Sequence, residues 1–256
     1  MSMFLKKKCA ALALGSGGAK GMAHVGALAA LEEAGIRFGA VAGTSIGSIV
    51  GALYAKGYSA KDISELLRRL DWKGMALSVL AAGSPAPVRS VLDGMLDESD
   101  FASLRLPFAA IATDANSGEE VVLRTGNVAE AVLASSSMPP LFKGMEVGGR
   151  TLVDGAFTNA VPGDTARVLG GDFVLGISLS AASSYERTEF VTSGGVRKEC
   201  RQKGIKSCDF LLEPDLSAYA ATDVFSATVM YDIGYECAVR HMDEILSSMR
   251  ARRVKA

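Results

Sequence analysis

The pentapeptide Gly43-Thr44-Ser45-Ile46-Gly47 is the strongest constraint on what this chain can fold into. It falls where a short apolar run, residues 39–42, gives way to a helical pattern over 45–56 that stops at Gly57. A side chain on a tight strand-to-helix turn sits in a strained backbone position, and only small residues two places to either side avoid collision. Gly43 and Gly47 supply that space. Such a turn lifts the serine hydroxyl to the carboxyl end of a sheet, where α/β sites gather. It also places the hydroxyl at a helix N-terminus, whose partial positive charge favours a developing anion. Ser45 is therefore a candidate nucleophile. The bland alternative is an incidental small-residue turn; the strand before it and the Ala/Ile/Val helix after it argue against that.

The same alternation of short apolar runs and helical patterns continues along the chain. Residues 9–14 are nearly all apolar, as in a strand buried on both faces. Glycines follow, then an alanine-rich helix over 20–34 that Gly35 ends. A further helix is expected over 59–70 with Ser59 as its N-cap. Residues 108–113 and 120–124 read as strands joined by a turn at Asn116-Ser117-Gly118. A helix over 128–134 is ended by Pro139-Pro140, and 145–147 and 150–153 flank Gly148-Gly149, a hairpin signal. A helix near 162–169 leads to an apolar strand at 173–178, and 227–250 reads as one long amphipathic helix. This predicts an α/β fold: a three-layer sandwich with a mostly parallel central sheet covered by helices on both faces. Residues 73–87, apolar but broken by glycine and proline, read as a surface loop or a lid.

The 256 residues, 49% of them apolar, suit one domain spanning 1–256, with a motif-bearing core over 9–180 and a helical part over 220–256. The 27 basic residues nearly balance the 28 acidic ones. That leaves no electrostatic footprint for nucleic acid and no whole-molecule pull toward an anionic membrane. Cys9, Cys200, Cys208 and Cys237 form no C-x-x-C pair and have no histidine at zinc-ligand spacing, so free thiols in a reducing compartment are expected; a Cys200–Cys208 bridge stays open. Lys6-Lys7-Lys8 before the apolar run mimics a signal peptide. The run is short and stops at Gly15 inside a glycine-rich turn, so a first strand is expected there. No apolar run reaches membrane-spanning length.

That glycine-rich turn, Gly15-Ser16-Gly17-Gly18-Ala19-Lys20-Gly21, admits two readings. A dinucleotide-binding turn needs G-x-G-x-x-G. Here Lys20 stands where the third glycine belongs, and the second strand ends without an acidic residue for a ribose. The preferred reading is an oxyanion hole, because glycines leave backbone N–H groups able to approach a ligand oxygen. A serine nucleophile also needs a proton acceptor. His24 and His241 are the two histidines, and both fall inside helical patterns where a structural role is expected. Asp154 ends an apolar strand just before Gly155, and partial burial raises a carboxyl pKa and makes it a better base. A turn-forming Asp-Gly is the bland reading of the same residues. Asp114 reads as the start of the turn at 116–118, and Asn159 as a brace for the Asp154 loop. Met75, Leu77, Val79 and Leu80 read either as a packed helix or as a surface that meets acyl chains.

The strings GSGGAKGMAHVGAL, AGTSIGSIVGALYA, SSSMPPLF and LVDGAFTNAVP, in this order between about 9 and 180, closely resemble the bacterial form of the patatin-like phospholipase family. The resemblance implies that Ser45 is the nucleophile and Asp154 its base, with no histidine between them. It further implies that Gly17, Gly18 and Ala19 offer oxyanion donors, and that Gly15, Lys20, Gly21, Gly43, Gly47 and Gly155 support the motifs. Ser16 and Lys20 depart from the family's usual glycine and arginine, and lysine lacks the planar fork. The implied activity is hydrolysis of lipid carboxylic esters through an acyl-enzyme, without metal or cofactor; the near-neutral charge and the lack of a membrane-spanning run lead to the expectation of a cytoplasmic protein that meets lipid transiently. Acyl transfer to an alcohol and a non-hydrolytic regulator on the same fold are the alternatives.

Overall fold

The apolar run at 9–14 becomes an inner strand of the sheet, paired on both edges. The structure is a computed structural model, and it describes residues 8–70, 74, 86–97, 99–139, 142, 144–181, 188–192, 197–200 and 204–255. The strands are β1 (Ala10–Leu14), β2 (Phe38–Thr44), β3 (Phe108–Asp114), β4 (Glu120–Leu123), β5 (Met145–Val147), β6 (Arg150–Asp154), β7 (Phe173–Ile177), β8 (Thr188–Val191), β9 (Arg197–Cys200) and β10 (Phe210–Leu212). The helices are α1 (Met22–Glu33), α2 (Ile46–Lys56), α3 (Ala60–Arg68), α4 (Ala86–Leu96), α5 (Val128–Ser135), α6 (Gly163–Val168), α7 (Ala227–Arg240) and α8 (Met242–Ala251).

Eight strands form one sheet, ordered β10-β7-β1-β2-β3-β6-β5, with β4 against β3. From β10 to β3 every pair is parallel; β4, β5 and β6 pair antiparallel. The expected α/β architecture is present, with an antiparallel end added to the parallel sheet. The alternation along β1 shows how both faces are covered. Leu12 and Leu14 enter the larger core with α1 residues such as Val25 and Leu28. Ala11 and Ala13 face the other way, into a smaller core with Val161, Ala166 and Val174. Helix α1 is buried along its length from Met22 to Leu31, because α7 lies across it. The two helices approach so closely that a methyl group on Gly26 would overlap the Tyr231 carbonyl, and one on Gly234 the Ala23 carbonyl.

Several local expectations hold for visible reasons. Ser59 caps α3 through a reciprocal capping box with Asp62. Gly57 ends α2 at φ 110°, and the β5–β6 hairpin turns on Gly148 (φ 58°) and Gly149 (φ 76°), both positive as a tight primed turn requires. Asp114 Oδ1 accepts from the Asn116 and Ser117 amides, the turn role expected of it.

One expectation is corrected. The C-terminal helix is broken: α7 ends at Arg240, His241 takes φ −99° and ψ 8°, and α8 begins at Met242. The His241 ring explains the stop, since Nδ1 bonds the Cys237 carbonyl at 2.9 Å and the ring meets Phe210 edge-on at the sheet. The free thiols expected are found at Cys9, Cys208 and Cys237, and the free Cys208 closes the alternative of a bridge to Cys200. The stretch proposed as a lid begins to be described, apart from Gly74, only at Ala86, where α4 starts. Met75, Leu77, Val79 and Leu80 lie outside the described residues.

Candidate active site

The pairing of β3 brings the two key residues together. Along one edge β3 pairs with β4, from Ala110 opposite Leu123 to Thr113 opposite Glu120. Its other edge is shared. β2 occupies the first half, ending with Thr44 opposite Ile111, and β6 the second half, beginning with Asp154 opposite Ala112. Ile111 and Ala112 are consecutive, so the last residue of β2 and the last residue of β6 meet end to end. Ser45 follows Thr44 directly. Its Oγ donates to Asp154 Oδ2 at 2.7 Å, with no imidazole between them.

Ser45 has φ 55° and ψ −125°, outside the regions that side-chain-bearing residues normally occupy. The flanking glycines permit this. A Cβ at Gly43 would overlap the Gly47 carbonyl, and one at Gly47 would overlap the Leu14 carbonyl at the end of β1. The Ser45 amide donates to Ser135 Oγ at 2.9 Å. Its carbonyl accepts from the Ser48 amide at 2.8 Å and from Ser48 Oγ at 2.6 Å, at the start of α2. Thr44 Oγ1 donates to the Asn159 carbonyl at 2.8 Å, and Asn159 Nδ2 donates to Asp164 Oδ1 at 2.7 Å. Asn159 thus braces the loop after Asp154 and also ties it to the serine turn.

Asp154 is only 1% exposed. Oδ1 accepts the Ala156 amide at 2.8 Å, and its own amide donates to the Ser137 carbonyl at 3.0 Å. Burial pushes the carboxyl up to about 6, against the opposing effect of the hydrogen bonds from Ser45 and Ala156. The carboxylate is therefore charged at neutral pH yet more basic than an exposed aspartate, as a proton acceptor needs to be. Both histidines have structural partners. His24 is fully buried with Nε2 bonded to the Gly15 carbonyl at 2.8 Å, and burial pushes its imidazole down to about 4, so it is neutral.

The glycine turn follows β1 and can be read amide by amide. Gly15 N–H donates to the Ile177 carbonyl, Ser16 N–H to Ala160 and Lys20 N–H to Gly17. The Ala19 N–H donates to the Ala221 carbonyl at 2.7 Å. This corrects the expectation for Ala19: its amide is occupied by the segment before α7 and is not free for an oxyanion. The same carbonyl lies against Gly18, which has φ 58°. Among the described residues the Gly17 and Gly18 amides meet no acceptor. The motif glycines Gly43, Gly47 and Gly155 are all in tight contact; a Cβ on Gly155 would overlap the Ile111 carbonyl of β3.

A sequence profile described as patatin-like phospholipase matches residues 12–167, the stretch that carries the glycine turn, Ser45 and Asp154. The chain belongs to the patatin-like phospholipase family. Patatin-like phospholipase domain-containing protein 6 of Homo sapiens is 35% identical over 199 residues, covering 72% of this chain and 14% of that protein. An uncharacterised NTE family protein of Mycobacterium tuberculosis is 33% identical over 185 residues, covering 68% of this chain and 50% of the relative. This chain therefore spans half or less of the length of these relatives. The structure of VipD from Legionella pneumophila superposes with a TM-score of 0.56 at 12% identity, covering 93% of this chain and 67% of VipD. The patatin-like fold is thus shared with mammalian and bacterial proteins.

Two features of the site were not read from the sequence. In the sequence the serines at 135–137 stand out only as part of a family string, although the Ser135 hydroxyl holds Ser45 and the Ser137 carbonyl holds Asp154. The Ala221 carbonyl comes from a region without any motif. The three successive serines just before Pro139 were the available signal for the first, since serine at a helix end is placed to bond nearby backbone. Nothing local marked the second.

Proposed function

We propose that this chain is a serine acyl-hydrolase that cleaves carboxylic esters of lipids through a Ser45–Asp154 dyad and an acyl-enzyme. The observation that carries this reading is the 2.7 Å hydrogen bond from Ser45 Oγ to a buried carboxylate. In the first step Ser45 Oγ attacks the ester carbonyl carbon and its proton passes to Asp154. The Gly17 and Gly18 amides, which meet no acceptor among the described residues, are the donors assigned to the new oxyanion. Collapse expels the alcohol, which leaves with the proton from Asp154. In the second step Asp154 takes a proton from water, the hydroxide attacks the acyl carbon, and Ser45 leaves with that proton as the fatty acid is released. The α2 N-terminus adds partial positive charge at the serine.

Membership of a family named for phospholipases, and the relatives' names, support phospholipids as the substrate class. Among the described residues no helix is long and apolar enough to cross a membrane. The test is labelling with a fluorophosphonate followed by turnover of a phospholipid and of a soluble ester. Wild type is expected to label and turn over both. Ser45→Ala is expected to lose labelling and turnover, and Asp154→Asn to lose turnover, with the circular dichroism unchanged. Full turnover by Asp154→Asn would remove the dyad from consideration.

A further inference from the structure

Ser135 is the last residue of α5, and its side chain is fully buried. Its Oγ is the acceptor for the Ser45 amide, from 90 residues away in sequence. The two sides of the strained Ser45 residue are held differently. On the carbonyl side α2 does the holding, with the Ser48 amide at 2.8 Å and the Ile49 amide at 3.3 Å. On the amide side α2 offers nothing, because a helix accepts no bond from the residue that precedes it. The Ser135 hydroxyl takes that place.

The end of α5 is itself fixed. The Ser136 amide donates to the Val132 carbonyl at 3.1 Å, and Ser137 Oγ donates to the Leu133 carbonyl at 2.8 Å. Two residues past Ser135, the Ser137 carbonyl accepts the Asp154 amide at 3.0 Å. One short segment thus grips the backbone of both members of the pair, one through a side chain and one through a carbonyl.

We infer that Ser135 is a positioning residue: its hydroxyl fixes the strained Ser45 peptide so that Ser45 Oγ points at Asp154. The inference rests on the Ser45–Asp154 reading above. Alanine at this position removes the acceptor without adding bulk, leaving the half-buried Ser45 N–H unpartnered and the strained peptide free to turn. A displacement of the nucleophile by about 1 Å lowers the rate by about 100-fold. The loss belongs in kcat, because Ser135 meets the enzyme's backbone and not the substrate.

The experiment measures kcat and KM on a soluble p-nitrophenyl ester, with thermal melts, for wild type, Ser45→Ala, Ser135→Ala and Ser135→Thr. The expected pattern is a kcat about 10- to 100-fold down in Ser135→Ala, KM within about twofold, and much of the rate returned by Ser135→Thr, which restores the oxygen. Unchanged kcat in Ser135→Ala, a loss carried by KM, or a threonine enzyme as slow as the alanine enzyme at the same melting temperature overturns the inference. Ser45→Ala separates the two readings. If it stays active, the dyad itself fails; if it is dead while Ser135→Ala is fully active, only the role of Ser135 fails.

Discussion

Asp154→Asn is expected to inactivate the protein and to stabilise it. Burial holds the Asp154 carboxyl up at about 6, from an ordinary value of 3.8. A group whose pKa is raised on folding adds stability that is complete below the unfolded value and is lost as pH rises through the folded value. Between pH 3.8 and about 6, each pH unit therefore removes about 1.4 kcal/mol of stability. Above pH 6 the full cost of keeping the charge buried is in place, about 3 kcal/mol. Asp154 is 1% exposed, so solvent screening takes little from this figure. Asparagine has the same shape. Its oxygen can accept the Ala156 amide and its NH2 can donate to Ser45 Oγ, so both bonds survive with the serine now accepting. The variant is expected to gain up to about 3 kcal/mol at pH 7.5, or roughly 6–12 °C in Tm for a chain of this size. The assay is urea unfolding followed by circular dichroism at pH 7.5 and pH 4. The advantage is expected to be large at the first and under about 1 kcal/mol at the second. Equal stability at pH 7.5, or an advantage that does not shrink at pH 4, refutes the reasoning.

Three further outcomes are expected. Turnover of a soluble ester falls as pH drops through about 6, because protonated Asp154 cannot take the serine proton; a kcat flat from pH 7.5 to pH 5 contradicts this. His24, held down to about 4 from 6.5, contributes stability that is complete above 6.5 and lost as pH falls through 4, about 3 kcal/mol in all. Asp154 works in the opposite sense over part of that range, so the effect is read as the difference between wild type and His24→Gln, which keeps an amide donor for Gly15. That difference shifts toward the variant on acidification, and parallel curves rule it out. Gly47→Ala is expected to cost at least about 100-fold in turnover and to lower Tm, because its methyl overlaps the Leu14 carbonyl and dislodges the serine turn; a variant labelled by fluorophosphonate at the wild-type rate argues against this.

The legible parts of the sequence were those where backbone geometry leaves little choice of residue. Gly43 and Gly47 flank Ser45 because carbonyls approach both positions. Gly148-Gly149 announces a hairpin because both residues need positive φ. Ser59 announces α3 because the bonds that cap it, to Asp62, are local. What was missed depends on partners far away in the chain. The apolar pattern of 227–250 runs through His241 without interruption, and the break comes from a ring that turns back onto Cys237 and meets Phe210. Strand β10 is three residues long, too short to carry a periodicity. The Ala19 amide reads as free until Ala221 is folded against it, and the Ser135 hydroxyl has no evident purpose until Ser45 is placed beside it.

The shared edge of β3 also bears on how this protein can vary. Because hydrogen-bonded ladders set the gap between Ser45 and Asp154, lengthening the connections at 57–59 or 116–118 leaves their spacing alone. A deletion that shifts β6 by one position has the reverse effect, since neighbouring strand residues face opposite ways. Leu152 and Val153 would trade sides and the carboxylate would swing out of the cleft. Surface connections are thus open to drift, while the chemistry tolerates no frameshift of a single rung.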